Sequence, residues 1–416
     1  MALRVAGMSA LAAIIAVSGP GLLAGLSDDD PAGVTTYSIL GAHFGYVLLW
    51  TIPFSTLLLI GFHLLAVRLG ILSGSGFTAT VRRRYGRRAA WLVAAFFVLA
   101  NLGTVCAEFA GIAAAGTLAG IPTWVSAPLG ALVVGVLVVG ATFHRVERVL
   151  LAVSALLASY VVAAVLARPD WGAAGAGLVT PTLPSSRAGM VAVTATVGTT
   201  LAPWGLSFIQ SYSVDKGLHW RDWTAERVEV IIGSVLTGLI GTCIAITCAA
   251  VLWPAHIQVT DAHEAAQALR PLAGRYASVL FGVGLIGAGL LGAALVPLST
   301  AYSVVEGVDH PGDLDAKASV DKLFYGIFVA ILVVCAGIVA LPGVRLIPLI
   351  YFSQLVNAVF LPPELILLVM LNRDPAVVGE RRLPAWAAIG ASAGVVVVVA
   401  ALVALGLTQL GALGAS

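Results

Sequence analysis

"SDDDPAGVTT", residues 27–36, sets three consecutive aspartates and a proline between apolar stretches that would otherwise read as one membrane-spanning helix. An ionised aspartate near the centre of a span costs at least ~2.5–3.5 kcal/mol, so Asp28, Asp29 and Asp30 need compensation there, and a bound cation would supply it. Ending the helix near Gly25 and leaving the triplet in an external loop strands Val34 to Gly45, a piece too short to span and too long for a tight connection. The cation reading is therefore preferred. Asp30 directly precedes Pro31 and ranks first as a ligand, with Asp28 and Asp29 lining an entrance or holding water.

The rest of the chain agrees with a membrane setting. Of 416 residues 60% are hydrophobic and 10% charged, and the mean hydropathy is +1.02, outside the range of a soluble domain. The polar breaks are too short for a soluble domain of ordinary size. A net charge of +2 gives no reason to expect nucleic acid, and the seven histidines are scattered. Cys106, Cys243, Cys248 and Cys335 lie in apolar runs and read as packing residues. The apolar N-terminal run continues into the aspartates without the usual small-residue cleavage site and is expected to be retained. No partnered nucleophile, phosphate loop or metal-hydrolase spacing occurs, so neither an enzyme nor a resident cofactor is expected.

Apolar runs against charged breaks predict an all-α integral membrane protein of about eleven transmembrane helices: 4–42 (interrupted), 45–69, 88–118, 124–143, 147–167, 188–215 (interrupted), 224–253, 273–306, 319–340, 343–371 and 384–409. With the N-terminus cytoplasmic, seventeen of the 22 Lys and Arg residues fall inside and five (Arg168, Arg187, Arg270, Arg275, Arg345) outside. That asymmetry follows the positive-inside rule and puts the C-terminus outside, in a multi-pass protein of the inner (plasma) membrane. The run "RRRYGRR" at 82–88 then reads as a topology anchor rather than a lipid-phosphate or nucleic-acid patch.

Two spans are broken. The first is interrupted at Ser27 to Gly33 and the sixth at "TTLAPWG", residues 199–205, each with a proline between two apolar arms. Proline removes an amide hydrogen and opens the helix, and freed carbonyls survive at membrane depth only inside protein or against a wet cavity. The breaks open two five-helix halves, about 4–167 and 188–371, with an additional helix at about 384–409: one transporter domain over 1–416 built as an inverted repeat.

Further polar groups lie in the spans. Glu108, in "NLGTVCAEFAGIAAAG", has no basic residue within reach on its helix, which leaves a cation, a proton or a distant arginine to neutralise it. In "YFSQLVNAVFLPP", Gln354 and Asn357 share one helical face. Amides in a bundle more often bond helix to helix than bind ions, and Gln354 is retained as a candidate.

"SGPG" at 18–21, "DPAG" at 30–33, "GAHFGYVLLW" at 41–50, "AEFAG" at 107–111 and "APW" at 202–204 resemble, in order and spacing, the landmarks of Nramp divalent-metal transporters. The resemblance implies a LeuT-type fold with the metal between the unwound centres of helices 1 and 6. It implies that Asp30 and the carbonyls of Ser27 and Thr199 face the ion, with Glu108 nearby and Gln354 on helix 10. Where ordinary members carry Asp-Pro-Gly-Asn and Met-Pro-His, this chain has Gly33 for the asparagine, Ala202 for the methionine and Trp204 for the histidine. That pattern is similar to the Nramp-related magnesium transporter branch.

Losing a thioether removes the preference for soft or borderline ions. Carboxylates, carbonyls and the space left by Ala202 and Gly33 suit Mg²⁺ taken partly hydrated, and Mn²⁺ as well. Without a helix 6 histidine, proton coupling is not expected. It is not required either, since a divalent ion gains ~4.6 kcal/mol on entering a cell polarised by 100 mV, about three decades of accumulation. The expected function is alternating-access import of Mg²⁺, and Mn²⁺ too, by a monomer whose partners are the ion and the bilayer. The rivals are a proton-coupled Mn²⁺/Fe²⁺ importer and an Nramp-like sensor, which would need a large output domain beyond span 11. An amino-acid carrier on the same fold would be repelled at its substrate carboxylate by three acids.

Overall fold

The computed structural model describes residues 29–140, 159–182, 184, 186–310 and 321–409. The labelled helices, in chain order, are α1 (Pro31–Phe44), α2 (Thr51–Ser73), α3 (Phe77–Tyr85), α4 (Arg87–Leu118), α5 (Thr123–Gly140), α6 (Ser159–Leu166), α7 (Trp171–Val179), α8 (Arg187–Thr200), α9 (Pro203–Asp215), α10 (Trp223–Val251), α11 (Ala277–Gly307), α12 (Lys322–Ala340), α13 (Leu346–Arg373) and α14 (Ala385–Gln409). Among the described residues eight segments are long and apolar enough to cross a membrane, with α8 and α9 counted as one. The other three expected spans, 4–42, 124–143 and 147–167, run partly outside the described residues.

Both breaks are formed as proline requires. Pro31 opens α1 behind an extended Asp30, and Pro203 opens α9 behind Ala202, whose φ and ψ of −56° and 131° are not helical. Pro fits the first helical position because no intrahelical partner awaits its missing N–H. Both inner arms are almost wholly buried, as interrupted helices at membrane depth must be.

Small residues bring the arms together. A Cβ at Gly41 would lie 2.1 Å from the Ala245 carbonyl of α10, and one at Gly241 would lie 2.6 Å from the Tyr37 ring, so α1 and α10 meet nearly backbone to backbone. Tyr37 Oη and Thr200 Oγ1 are 3.0 Å apart, and Ser55 Oγ donates to the same Thr200 oxygen at 3.0 Å, joining α1, α2 and the end of α8. The long α4 packs most extensively against α11 and α13.

The connection carrying α7 lies tightly on the turn after α1. Trp50 Nε1 donates to the Thr182 carbonyl at 3.2 Å, Thr182 Oγ1 donates to the Val47 carbonyl at 2.9 Å, and a Cβ at Gly177 would meet the Tyr46 carbonyl at 2.1 Å. At the basic end of the bundle, "RRRYGRR" closes α3 and opens α4 around Gly86, whose φ of +90° suits glycine. Its arginines pair with acids at other helix ends, Arg82 with Asp309 and Arg84 with Asp374.

Candidate metal centre

Asp30 is the N-cap of α1: its Oδ1 accepts the Gly33 N–H at 2.7 Å, which fixes the carboxylate at the positive end of the helix. Its carboxyl group faces that of Glu108, from the middle of α4, closely enough for the two to interact. Glu108 is fully buried, and neither oxygen receives a hydrogen bond among the described residues. The distant arginine considered for Glu108 is ruled out among the described residues, because no cation lies within ion-pair distance and the charge that faces it is another carboxylate.

Glycines make the approach possible. A Cβ at Gly111 would stand 2.3 Å from Pro31 Cβ, one at Gly289 would stand 2.8 Å from Ile112 Cγ1, and one at Gly292 would stand 2.4 Å from Glu108 Cδ and Oε2. The absent side chains on α4 and α11 leave room for Pro31 and the Glu108 carboxyl.

Asp29, placed at an entrance or on water by the sequence reading, is 4% exposed beside Asp30, with both carboxylate oxygens unpaired among the described residues. It joins the candidate residues. The sequence could not show which members of the triplet turn inward, because adjacent acids are equivalent until the chain direction before Pro31 is known. Ser27 and Asp28 lie outside the described residues.

Thr199 is buried on the last turn of α8, and Pro203, four residues on, has no N–H to offer its carbonyl. Ala202 is buried and offers only backbone and a methyl group. Gly33 contributes the amide that holds Asp30. Gln354 is committed at both ends of its amide: Nε2 donates to Ser353 Oγ at 2.7 Å and Oε1 accepts from Asn357 Nδ2 at 3.1 Å, while Asn357 also donates to Thr104 Oγ1 at 3.0 Å. This chain ties α13 to α4, as amides in a bundle commonly do.

Trp204 is fully buried beside Phe208, and its carbonyl accepts from Ser299 Oγ at 2.9 Å. Two further acids escaped sequence reading. Glu364 of α13 has no hydrogen-bond partner among the described residues and lines a small cavity with Phe77, Phe97 and Pro203. Glu306 of α11 accepts from Ser211 Oγ at 2.7 Å and from the Ala79 N–H at 3.2 Å, capping α3 from another helix. The carboxylate within each apolar run was the available signal. Among the described residues no three His, Cys, Asp or Glu side chains converge as a ligand set, so ion binding here would rest on the Asp30–Glu108 pair and neutral oxygens, with Asp29 adding its charge alongside.

Residues 21–408 match the family model described as "Natural resistance-associated macrophage protein-like" (Nramp). A relative, the divalent metal cation transporter MntH of Pectobacterium carotovorum, is 29% identical over 289 residues, covering 65% of this chain and 68% of the relative. The manganese transporter of Eremococcus coleocola superposes with a TM-score of 0.79 at 22% identity, over 98% of this chain and 88% of that one. The nucleobase-cation-symport-1 transporter Mhp1, closed with bromovinylhydantoin bound, superposes with a TM-score of 0.57 at 16% identity, over 89% and 80% of the two chains. These two likenesses show the LeuT-type fold. The chain thus belongs to the Nramp family of divalent-metal membrane transporters.

Proposed function

We propose that this protein imports Mg²⁺, and Mn²⁺ with it, by alternating access between its two halves, uncoupled from protons. The observation that carries the proposal is the Asp30–Glu108 carboxyl pair, buried at a helix break with no cationic side chain among the described residues within ion-pair distance. Two facing carboxylates in a low-dielectric interior attract a dication far more strongly than a monovalent ion. Asp30 is the principal ligand and Glu108 assists, with the carbonyls of Ser27 and Thr199 completing an oxygen set and Gln354 lending its remaining lone pair. Gly33 and Ala202 leave space for water on the ion, which Mg²⁺ gives up reluctantly. Manganese enters because all-oxygen sites also suit it and because two of the similar proteins are named for manganese or divalent-metal transport. The halves are about 4–167 and 188–371, the N-terminus is cytoplasmic and the C-terminus outside, and the working unit is a monomer.

A liposome flux assay with Mg²⁺, Mn²⁺ and Ca²⁺, with and without a pH gradient, tests this reading. Uptake of Mg²⁺ driven by voltage alone, abolished in Asp30→Ala, is the expected result; full activity of that variant removes the site. The same Asp30–Glu108 contact favours one second reading, proton-coupled Mn²⁺/Fe²⁺ import, since a proton held by the pair in the ion's absence would be released when the ion binds and could travel inward with it. Lumenal acidification that tracks metal uptake would select it.

A further inference from the structure

Away from the metal path, a groove between α2 and α14 contains a charge that has no acidic partner among the described residues. Arg68, near the end of α2, is 8% exposed, and its guanidinium donates to Asn372 Oδ1 at 2.6 Å and to the Arg381 carbonyl. Both acceptors are neutral, and no carboxylate lies within ion-pair distance of Arg68 among the described residues. A buried guanidinium with neutral partners alone calls for an anion. Arg227, in the first turns of α10, lines the same groove, is exposed, and also has no carboxylate partner among the described residues.

The rest of the groove is apolar. The cavity, about 600 Å³, has Leu58, Phe62 and Leu65 of α2 on one wall and Ala387, Gly390 and Ala391 of α14 on the other. Trp223 and Trp386, each in the first turn of its helix, stand with the arginines where the end of α2 meets the starts of α10 and α14. Tryptophans at helix ends mark the headgroup level of a bilayer. Two cations at that level above an apolar trough match a molecule with an anionic head and a hydrocarbon tail.

We propose that this groove binds an anionic phospholipid, its phosphate between Arg68 and Arg227 and one acyl chain along Leu58, Phe62 and Gly390. A zwitterionic lipid would bring its own cation against the two arginines. A free phosphate would leave the apolar trough unused.

The test uses the full chain, delipidated in detergent and titrated with phosphatidylglycerol, phosphatidylcholine of the same chains, or inorganic phosphate. Bound lipid is counted by native mass spectrometry and thermal stability is followed in parallel. Phosphatidylglycerol should bind about tenfold more tightly than phosphatidylcholine, and inorganic phosphate should not protect. Arg227→Gln should weaken phosphatidylglycerol about fivefold and leave phosphatidylcholine unchanged. Gly390→Phe should block the lipid without unfolding the protein, since a Cβ at residue 390 meets no atom within 4 Å. Arg68 also ties down the end of α13, so its replacement would report on folding as well, and Arg227 and Gly390 carry the test. Equal retention of the two lipids, equal protection by inorganic phosphate, or undiminished phosphatidylglycerol binding in both variants would overturn the proposal.

Discussion

Gly292 of α11 stands directly against the carboxyl group of Glu108 on α4: a Cβ at residue 292 would lie 2.4 Å from both Glu108 Cδ and Oε2. That side chain ends in the carboxyl group itself, which faces Asp30, so it can yield only by moving relative to Asp30. Gly292→Ala should therefore lower affinity for the transported ion about 10- to 100-fold while leaving the protein folded, the scale seen when groups supporting a metal ligand are disturbed. Calorimetric titration with Mn²⁺ and a thermal melt decide it, and wild-type affinity in a folded variant would refute the packing argument.

The two buried aspartates should separate by size of effect. Asp30→Ala removes the helix cap as well as the proposed ligand and should reduce transport at least about a hundredfold. Asp29→Asn keeps size and polarity but removes one negative charge beside Asp30, and should weaken ion binding about tenfold. Equal effects of the two substitutions on flux would show that Asp29 is itself a ligand.

Restoring a thioether at the sixth-helix break should move selectivity. Ala202→Met should raise Cd²⁺ affinity relative to Mg²⁺ by about tenfold, because sulfur suits soft cations and a longer side chain displaces water that Mg²⁺ would keep. Competition between Cd²⁺ and Mg²⁺ in calorimetry measures the shift, and an unchanged ratio contradicts the hardness argument.

One ion pair outside the spans has a defined pH signature. The hydrogen bond from the Arg84 guanidinium holds the Asp374 carboxyl below its ordinary 3.8. A depressed folded value stabilises the folded chain above the unfolded value, and this stabilisation is lost as pH falls through the folded one. Arg84→Gln should lower Tm slightly at pH 7, since the pair is partly exposed and screened, and the gap to wild type should close as pH drops below the usual carboxylate range. A gap of constant size down to acid pH would assign the effect to packing of Arg84 on the Tyr85 ring.

What could be read in advance followed from chain-local chemistry. The expected spans 88–118 and 343–371 correspond to Arg87–Leu118 and Leu346–Arg373, and prolines 31 and 203 open helices because a missing N–H acts wherever the residue sits. Relations between distant segments were not legible. Nothing near Glu108 in the chain shows that it will face Asp30; Gly111, Gly289 and Gly292 decide that by letting three helices close up. Gln354 could be read in sequence as an ion ligand or as a helix-to-helix amide, and Ser353, Asn357 and, through Asn357, Thr104 absorb it once α13 lies on α4. The inward turn of Asp29 and the cross-helix cap by Glu306 likewise depend on geometry that no local pattern encodes.

The seating of Gly177 and Thr182 on Tyr46, Val47 and Trp50 bears on how the machine can move. Chain that could have served as a slack tether is instead pinned at Gly177 and Thr182, so it cannot shift independently of the turn after α1. Inserted residues between Gly177 and Thr182 would break that seating and free the turn after α1, although the contact lies in a part of the chain that carries none of the proposed ligands.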